Sequence, residues 1–268
     1  MKNQTSARGT ISFDDVGSGL PVVLLHAFPL SRVMWAPQLA ALQDSYRVIA
    51  PDLRGFGGSA GFTETPSLDR MADDVAELLD ELKIRERILL GGLSMGGYTT
   101  LAFARRHADR LRGLILADTK AEADDAEGKA NRDRLIAFAA QHTGRDVLEQ
   151  MLAKLVGPVT MAKHAEVVES LRQIAASQTS AGIIGALQAM RDRPDSGPSL
   201  AAIAVPTLVI VGEQDSLTPP SLAESLAARI RGAKLVRIAG AGHLSNMENP
   251  AEFNAAVRGF LADAAAAK

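Results

Sequence analysis

The chain has no cysteine and only five histidines among its 268 residues. Disulfide scaffolds, thiolate metal sites and a cysteine nucleophile are excluded together, and the composition suits a reducing compartment. The histidines are scattered, with no His-x-x-x-His or similar ligand spacing, so neither a metal nor another cofactor is expected. No run approaches the roughly 18 apolar residues that span a bilayer, and residues 1–8 are polar with no signal-peptide core. Lys plus Arg number 29 against 31 Asp plus Glu, and no basic block exists that would track a phosphate backbone. The expectation is a soluble, cytoplasmic protein with no nucleic-acid or membrane partner.

What remains is a chain that is 47% hydrophobic and long enough for one large domain or a domain with an insertion. Short apolar runs end in Gly, Pro, Asp or Ser: Val22-Val23-Leu24-Leu25, Arg47-Val48-Ile49-Ala50, Ile88-Leu89-Leu90, the stretch from Leu111 to Ala117, and Thr207-Leu208-Val209-Ile210-Val211. Continuous rather than alternating apolarity marks strands covered on both faces, as in a parallel sheet. Between them, Leu68, Met71, Val75, Leu78, Leu79 and Leu82 recur at helical spacing behind Ser67, as do Leu222, Leu226 and Ile230 behind Ser221, both serines being placed as N-caps. Strands alternating with helices predict an α/β fold with a mostly parallel central sheet flanked by helices. An early segment from Thr10 to Asp15, closed by Gly17-Ser18-Gly19, reads as an edge hairpin.

The alternation stops between residues 119 and 201. That stretch carries only helical patterns and leaves through the turn-rich Arg193-Pro194-Asp195-Ser196-Gly197-Pro198. It divides the chain into a core of residues 1–118 and 202–268 and a helical insertion of residues 119–201.

The pattern Gly-x-Ser-x-Gly occurs twice, around Ser59 and around Ser94. A nucleophilic serine of this kind needs a strand, a sharp turn that lifts the hydroxyl, and a helix whose N-terminus offers backbone N–H groups. Ser94 has the strand run before it and a helical continuation, Gly97-Tyr98-Thr99-Thr100-Leu101, after it. Ser59 has neither and reads as a turn former. Such a hydroxyl needs a base, and the base an orienting carboxylate. His243, in the flexible Gly240-Ala241-Gly242 loop after the run Leu235-Val236-Arg237-Ile238, is the candidate base. His26 shapes a loop, His107 reads as a solvated cation at a helix C-terminus, and His142 and His164 lie on the insertion's surface. Asp118 and Asp215 both follow apolar runs, and either satisfies the order Ser, Asp, His; Asp215 is preferred because its strand lies nearer the histidine in chain order.

These motifs, Gly92-Leu93-Ser94-Met95-Gly96, His26-Ala27-Phe28-Pro29, the loop from Asp52 to Ser59, Gly212-Glu213-Gln214-Asp215 and Gly242-His243, together resemble the α/β-hydrolase superfamily over the whole chain except the insertion. The resemblance implies that the insertion is a helical cap over the active site and that the backbone N–H groups of Met95 and Phe28 form an oxyanion hole. Ala27 stands where the family usually has Gly and is unstrained only if its φ is negative. A serine at position 94 argues against dehalogenases and epoxide hydrolases, which carry Asp there.

The implied activity is a serine hydrolase, a carboxylesterase acting on a small-molecule ester or lactone. Enol-lactonases, cofactor-free haloperoxidases or perhydrolases and carbon–carbon bond hydrolases share the same three residues, and a non-catalytic small-molecule receptor is the rival from another class. In the insertion, Met151, Leu152, Leu155, Val156, Met161, Ile183, Ile184, Leu187 and Met190 offer an apolar lining. Lys120, Lys129, Arg132, Arg134, Lys154 and Arg172 are the cations that could anchor an acidic substrate.

Overall fold

A computed structural model describes residues 4–5 and 11–266. The polar opening and Thr10 therefore lie outside the described residues, apart from Gln4 and Thr5. The strands are β1 (Gln4–Thr5), β2 (Ser12–Val16), β3 (Pro21–Leu25), β4 (Arg47–Pro51), β5 (Ile88–Leu93), β6 (Leu111–Ala117), β7 (Thr207–Gly212) and β8 (Lys234–Ile238). They form one sheet in the order β1-β2-β4-β3-β5-β6-β7-β8, parallel from β4 through β8 and antiparallel at the β1 and β2 edge.

The helices of the first half are α1 (Ala36–Leu42), α2 (Leu68–Glu81) and α3 (Met95–Arg106). The insertion supplies α4 (Ala126–Ala139), α5 (Gly144–Leu155), α6 (Pro158–Lys163), α7 (Ala165–Ala176) and α8 (Ser180–Arg191), and the C-terminal part α9 (Pro220–Arg229), α10 (Ser245–Glu248) and α11 (Pro250–Ala266). Helix α2 begins as expected, with the Ser67 hydroxyl accepting from the Arg70 N–H at 3.1 Å. Helix α6 was not foreseen, because six residues opening on a proline carry too little periodicity to be told from a loop.

Successive strand residues point to opposite faces, which explains why the strand runs are continuously apolar. Val22 and Leu24 of β3 pack in a layer with Trp35, Leu39, Phe253 and Phe260 of the α1 and α11 side. Val23 and Leu25 pack in the opposite layer with Met71, Val75, Tyr98 and Phe103 of α2 and α3. Strand β3 pairs with β4 on one side and β5 on the other. The chain thus reverses direction across the sheet between β3 and β5, and the crevice at the carboxyl ends of those two strands is where an open α/β sheet binds ligands.

Two local expectations are corrected. The Gly17-Ser18-Gly19 turn does not close a hairpin: β2 pairs with β4, Val16 opposite Val48, while β3 lies on the far side of β4. Gly17 has φ +76°, and a Cβ there would sit 2.2 Å from the Tyr46 carbonyl oxygen, so the glycine serves a close crossing rather than a two-strand turn. Ser221 does not cap α9, whose N-cap is Pro219 with Pro220 as first residue; the fixed φ of proline starts the helix earlier than a serine cap would.

Helices α4 to α8 lie between β6 and β7 in the chain and are tied to the sheet at two places. The Gly57 N–H donates to Gln178 Oε1 at 2.8 Å, and Gly182 packs so tightly that an added Cβ would lie 1.8 Å from the Gly55 carbonyl oxygen. On the other flank the Gly157 N–H donates to Glu248 Oε2 at 2.8 Å. Among the described residues no helix is long and apolar enough to cross a membrane.

Candidate active site

Strand β5 ends at Leu93, and Ser94 turns the chain into α3 with φ 54° and ψ −112°. A non-glycine residue in this region costs about 1–2 kcal/mol and persists only where its surroundings fix it. They do so here through glycines: a Cβ on Gly92 would lie 2.1 Å from the Gly96 carbonyl oxygen, and one on Gly96 would lie 2.1 Å from that of Leu25. The Ser94 N–H donates to the Ala117 carbonyl at 3.0 Å, and the Thr119 hydroxyl donates to the Ser94 carbonyl at 3.0 Å. Strand β6 therefore holds the turn from the side. Ser59, the other candidate, accepts from the Ser12 N–H at 2.9 Å and donates to the Asp52 carbonyl at 2.7 Å, which is the turn-forming role expected of it.

His243 Nε2 lies 2.8 Å from Ser94 Oγ, and its Nδ1 lies 2.8 Å from Asp215 Oδ2. The imidazole and the Asp215 side chain are fully buried. The carboxylate fixes the tautomer, because an Nδ1–H facing Asp215 leaves Nε2 as the acceptor for the serine proton. Burial alone pushes the Asp215 pKa up, but the charge of His243, its hydrogen bond and those from Thr218 outweigh it and hold the group below its ordinary value. Asp215 Oδ1 accepts from the Leu217 and Thr218 N–H groups at 2.8 and 2.9 Å. Its Oδ2 also accepts from the Thr218 hydroxyl at 2.7 Å.

Of the two candidate aspartates, Asp215 is thus the one that touches the imidazole. Asp118 sits at the end of β6 with φ 45° and is fully buried. Its Oδ1 accepts from the Gly212 N–H at 2.8 Å and its Oδ2 from the Ser245 hydroxyl at 2.5 Å. It therefore joins the end of β7, three residues before Asp215, to the segment two residues after His243. Burial, and then the negative charge of Asp215, raise its pKa well above the ordinary carboxylate value.

Beside the elbow, Phe28 and Met95 are both buried, and neither backbone N–H has an acceptor among the described residues. Met95 is the first residue of α3, and Gly96 packs against the carbonyls of Leu25 and His26, which brings the helix N-terminus against the loop carrying Phe28. Among the described residues the non-glycines with positive φ are Lys83, Ser94 and Asp118, so Ala27 is unstrained where the family uses glycine. His26 accepts from the Leu53 N–H through Nε2 and donates from Nδ1 to the Ala27 carbonyl, both at 2.9 Å. It shapes the loop, as expected, and its burial lowers its pKa.

Ser94 lines a cavity of about 400 Å³ whose other walls include Phe28, Tyr98, Leu217 and Thr218 from the sheet side and Leu135, Met151, Leu155 and Met190 from the insertion. The expected apolar lining is therefore reached in part. Leu152, Val156, Ile183 and Leu187 are instead buried in packing, and Met161 is 45% exposed.

The remaining histidines stand away from this cluster. His142 stacks on Phe138 and His164 faces Glu166, both on the surface. His107 is not simply solvated: its Nε2 lies 2.8 Å from Asp73 Oδ1, which joins α3 to α2. No group of three metal-ligating side chains is found among the described residues.

Residues 21–250 match the family described as the alpha/beta hydrolase fold. This chain belongs to the α/β-hydrolase family. It is 32% identical to 3-oxoadipate enol-lactonase 2 of Acinetobacter baylyi, over 85% of this chain and 83% of that one. It is 31% identical to 2-hydroxymuconate semialdehyde hydrolase of a Pseudomonas species, over 94% and 90%. A solved thermophilic esterase from Thermogutta terrifontis, with malate bound, superimposes with a TM-score of 0.94 at 41% identity over 98% of this chain and 99% of that one.

Within this α/β-hydrolase, three residues that support the cluster escaped the sequence reading. Thr218 stands three residues after Asp215, the spacing at which an aspartate turns the chain onto following N–H groups, so it had a local signal. Ser245 and Glu248 had none. Ser245 meets Asp118 across 127 positions, and Glu248 accepts from the Leu244 N–H at 3.1 Å while reaching Gly157 of the insertion.

Proposed function

We propose that this chain is a serine hydrolase that cleaves carboxylic esters or lactones through an acyl-enzyme on Ser94. The observation that carries the reading is the unbroken line from the Ser94 hydroxyl through the His243 imidazole to the Asp215 carboxylate, with 2.8 Å at each step, at the wall of a cavity large enough for a small acyl compound. Relatives named as an enol-lactonase and an esterase support ester or lactone as the substrate class.

His243 takes the Ser94 proton as Oγ attacks the carbonyl carbon, and Asp215 stabilises the imidazolium. The Met95 and Phe28 N–H groups receive the oxyanion; losing one such donor typically costs about 3–4 kcal/mol of transition-state stabilisation. The tetrahedral intermediate expels the alkoxide, which takes the proton from His243. Water, deprotonated by the same imidazole, then attacks the acyl-serine, and His243 returns that proton to Ser94 Oγ as the C–O bond breaks and the acid leaves. Residues 119–201 act as the cap that walls this reaction off from solvent. In the same reading the Phe28 donor tolerates Ala27 because that residue is unstrained.

Ser94→Ala tests the assignment. It is expected to abolish hydrolysis of p-nitrophenyl butyrate and labelling by phenylmethylsulfonyl fluoride while leaving the circular dichroism spectrum unchanged. Retained turnover in a folded variant overturns it, and wild-type protein that neither hydrolyses nor labels points to a receptor.

A further inference from the structure

Met34, Gln38 and Asn246 are buried beside the apolar layer of Trp35, Leu39, Leu244 and Phe253, and two of the three carry primary amides. An amide is tolerated in such surroundings only when it is hydrogen-bonded. Asn246 Nδ2 donates to the Met34 carbonyl at 3.0 Å and to Gln38 Oε1 at 3.1 Å. Gln38 Nε2 donates back to the Asn246 carbonyl at 3.1 Å and to Asn254 Oδ1 of α11 at 2.9 Å. Asn246 Oδ1 has no partner among the described residues. A buried acceptor left unpaired costs stability, so asparagine is not the residue that packing alone selects at this position.

What the amide supplies is a link between two segments that are 212 positions apart. Asn246 lies in α10, three residues after His243. Met34 lies in the 3-10 turn Arg32–Trp35, and its Sδ accepts from the Ala27 N–H at 3.1 Å. Ala27 directly precedes Phe28. The Met34 side chain therefore holds the loop that carries the Phe28 N–H, and the Met34 carbonyl is held in turn by the helix that follows His243. That helix is anchored one residue earlier, where the Ser245 hydroxyl donates to Asp118.

We propose that Asn246 is a positioning residue that fixes the Phe28 oxyanion donor and the His243 base relative to each other. The inference rests on the hydrolase reading and adds no step to its chemistry. An oxyanion donor acts over a narrow range of about 2.7–3.1 Å, and a displacement of about 1 Å can cost roughly 100-fold in rate. Met34, Gln38 and Asn246 do not line the cavity that holds Ser94. Loss of the link therefore bears on kcat and leaves the substrate contacts that set KM in place.

The test compares Asn246→Leu with Gln38→Met under conditions where circular dichroism shows both folded. Each removes buried hydrogen bonds of the same amide pair, so their melting temperatures fall by similar amounts, but only Asn246→Leu also releases the Met34 carbonyl. With p-nitrophenyl butyrate, Asn246→Leu is expected to lower kcat by about 10- to 50-fold while KM stays within about threefold of wild type. Binding of phenylboronic acid, which forms a tetrahedral adduct on a nucleophilic serine, weakens by a like factor. Gln38→Met keeps kcat within about threefold, because the bond from Asn246 to Met34 survives. Equal losses of kcat in the two variants, or an unchanged kcat in Asn246→Leu, overturn the positioning role and leave the hydrolase reading intact. If Asn246→Leu does not fold, Met34→Leu decides. It conserves volume and the carbonyl but releases the Ala27 N–H, and it is expected to lower kcat about fivefold at constant KM; full activity overturns the link. Should wild type hydrolyse no ester, the hydrolase reading fails separately, and hydrogen exchange decides the link alone. Residues 27–34 and 243–246 then both exchange faster in Asn246→Leu than in Gln38→Met if the link exists; acceleration of one segment only, or equal rates in the two variants, overturns it.

Discussion

Asp118 and Asp215 are two buried carboxyls at the ends of neighbouring strands, and replacing each by asparagine separates their roles. In the proposed mechanism Asp215 works as an anion that stabilises an imidazolium, so Asp215→Asn is expected to lower kcat by about 10⁴ with little effect on folding. Asp118 accepts from the Gly212 N–H and the Ser245 hydroxyl in a site where burial and the Asp215 charge favour the protonated acid. Asparagine has the shape of that neutral acid. Its oxygen can accept from Gly212, its amide can donate to Ser245, and it tolerates the φ of 45° as well as aspartate does. Asp118→Asn should therefore keep kcat within about fivefold, a change of about 1 kcal/mol.

Asp118→Ala removes both partners. Each of the two buried groups left unpaired costs about 1–3 kcal/mol, and alanine at positive φ adds about 1 kcal/mol, so the loss is about 3–7 kcal/mol and the melting temperature drops by roughly 10 °C or more. The pH dependence carries a sign. The folded-state pKa of Asp118 lies above its ordinary 3.8, so the native state holds a proton that the unfolded chain releases, and this group's contribution to stability is lost as pH rises through that window. Asparagine has no such proton, so the stability of Asp118→Asn relative to wild type grows between pH 4 and 8. Urea melts at those limits and p-nitrophenyl butyrate kinetics check both claims. A fall in kcat for Asp118→Asn as large as that for Asp215→Asn refutes the reasoning, since Asp118 would then have to act as an anion.

Four further substitutions probe local packing and charge. Gly96→Ala places a Cβ 2.1 Å from the Leu25 carbonyl oxygen and is expected to prevent soluble expression, whereas Gly259→Ala, with nothing within 4 Å, raises stability by about 0.5–1 kcal/mol in a thermal melt. Burial lowers the folded-state pKa of His26 from 6.5; stability present above pH 6.5 is lost as pH falls toward the folded value, and His26→Gln flattens that slope in melts between pH 5 and 7. Burial works against the charge of Asp124, but Arg193 and Arg132 overcome it and bring its pKa down to about 2. Asp124→Asn should therefore cost about 1–2 kcal/mol at pH 7 once solvent screening is discounted. The penalty disappears as pH falls from about 4 toward 2, as urea melts would show.

The parallel strands were legible because a strand with helices on both faces has no polar side to hide: Val22 and Leu24 meet one layer and Val23 and Leu25 the other. Ser94 was separable from Ser59 because only one of them joins a strand to a helix. The acid was harder to read. Asp118 and Asp215 both follow apolar runs, and a run states that a strand ends but not which way the next residue turns. Asp118 leaves β6 at φ 45°, and its carboxyl meets the Gly212 N–H and the Ser245 hydroxyl. Asp215 stands three residues past Gly212, far enough for Thr218 to curl back and cap it. The decision lies in the backbone between strand and side chain, where the pattern of apolar residues is silent.

The same limit separates what the family shares from what this chain selects. The turn at Ser94 and the start of α3 are set by close backbone approaches at Gly92 and Gly96, and such contacts tolerate almost no variation. The cavity walls of the insertion obey only the weaker rule that α4, α5 and α8 pack, which many side chains satisfy. Relatives named for different substrates can therefore share the sheet. But the insertion is not free of the chemistry. Gly157 packs so closely that a Cβ on Gly242 would lie 2.3 Å from its nitrogen, and its N–H is held by Glu248, so the segment that lines the cavity also braces the loop carrying His243. A substitution near Gly157 that reshapes the cavity must then move the imidazole as well, whereas Arg134, on an exposed turn of α4, can change without disturbing the contacts of His243.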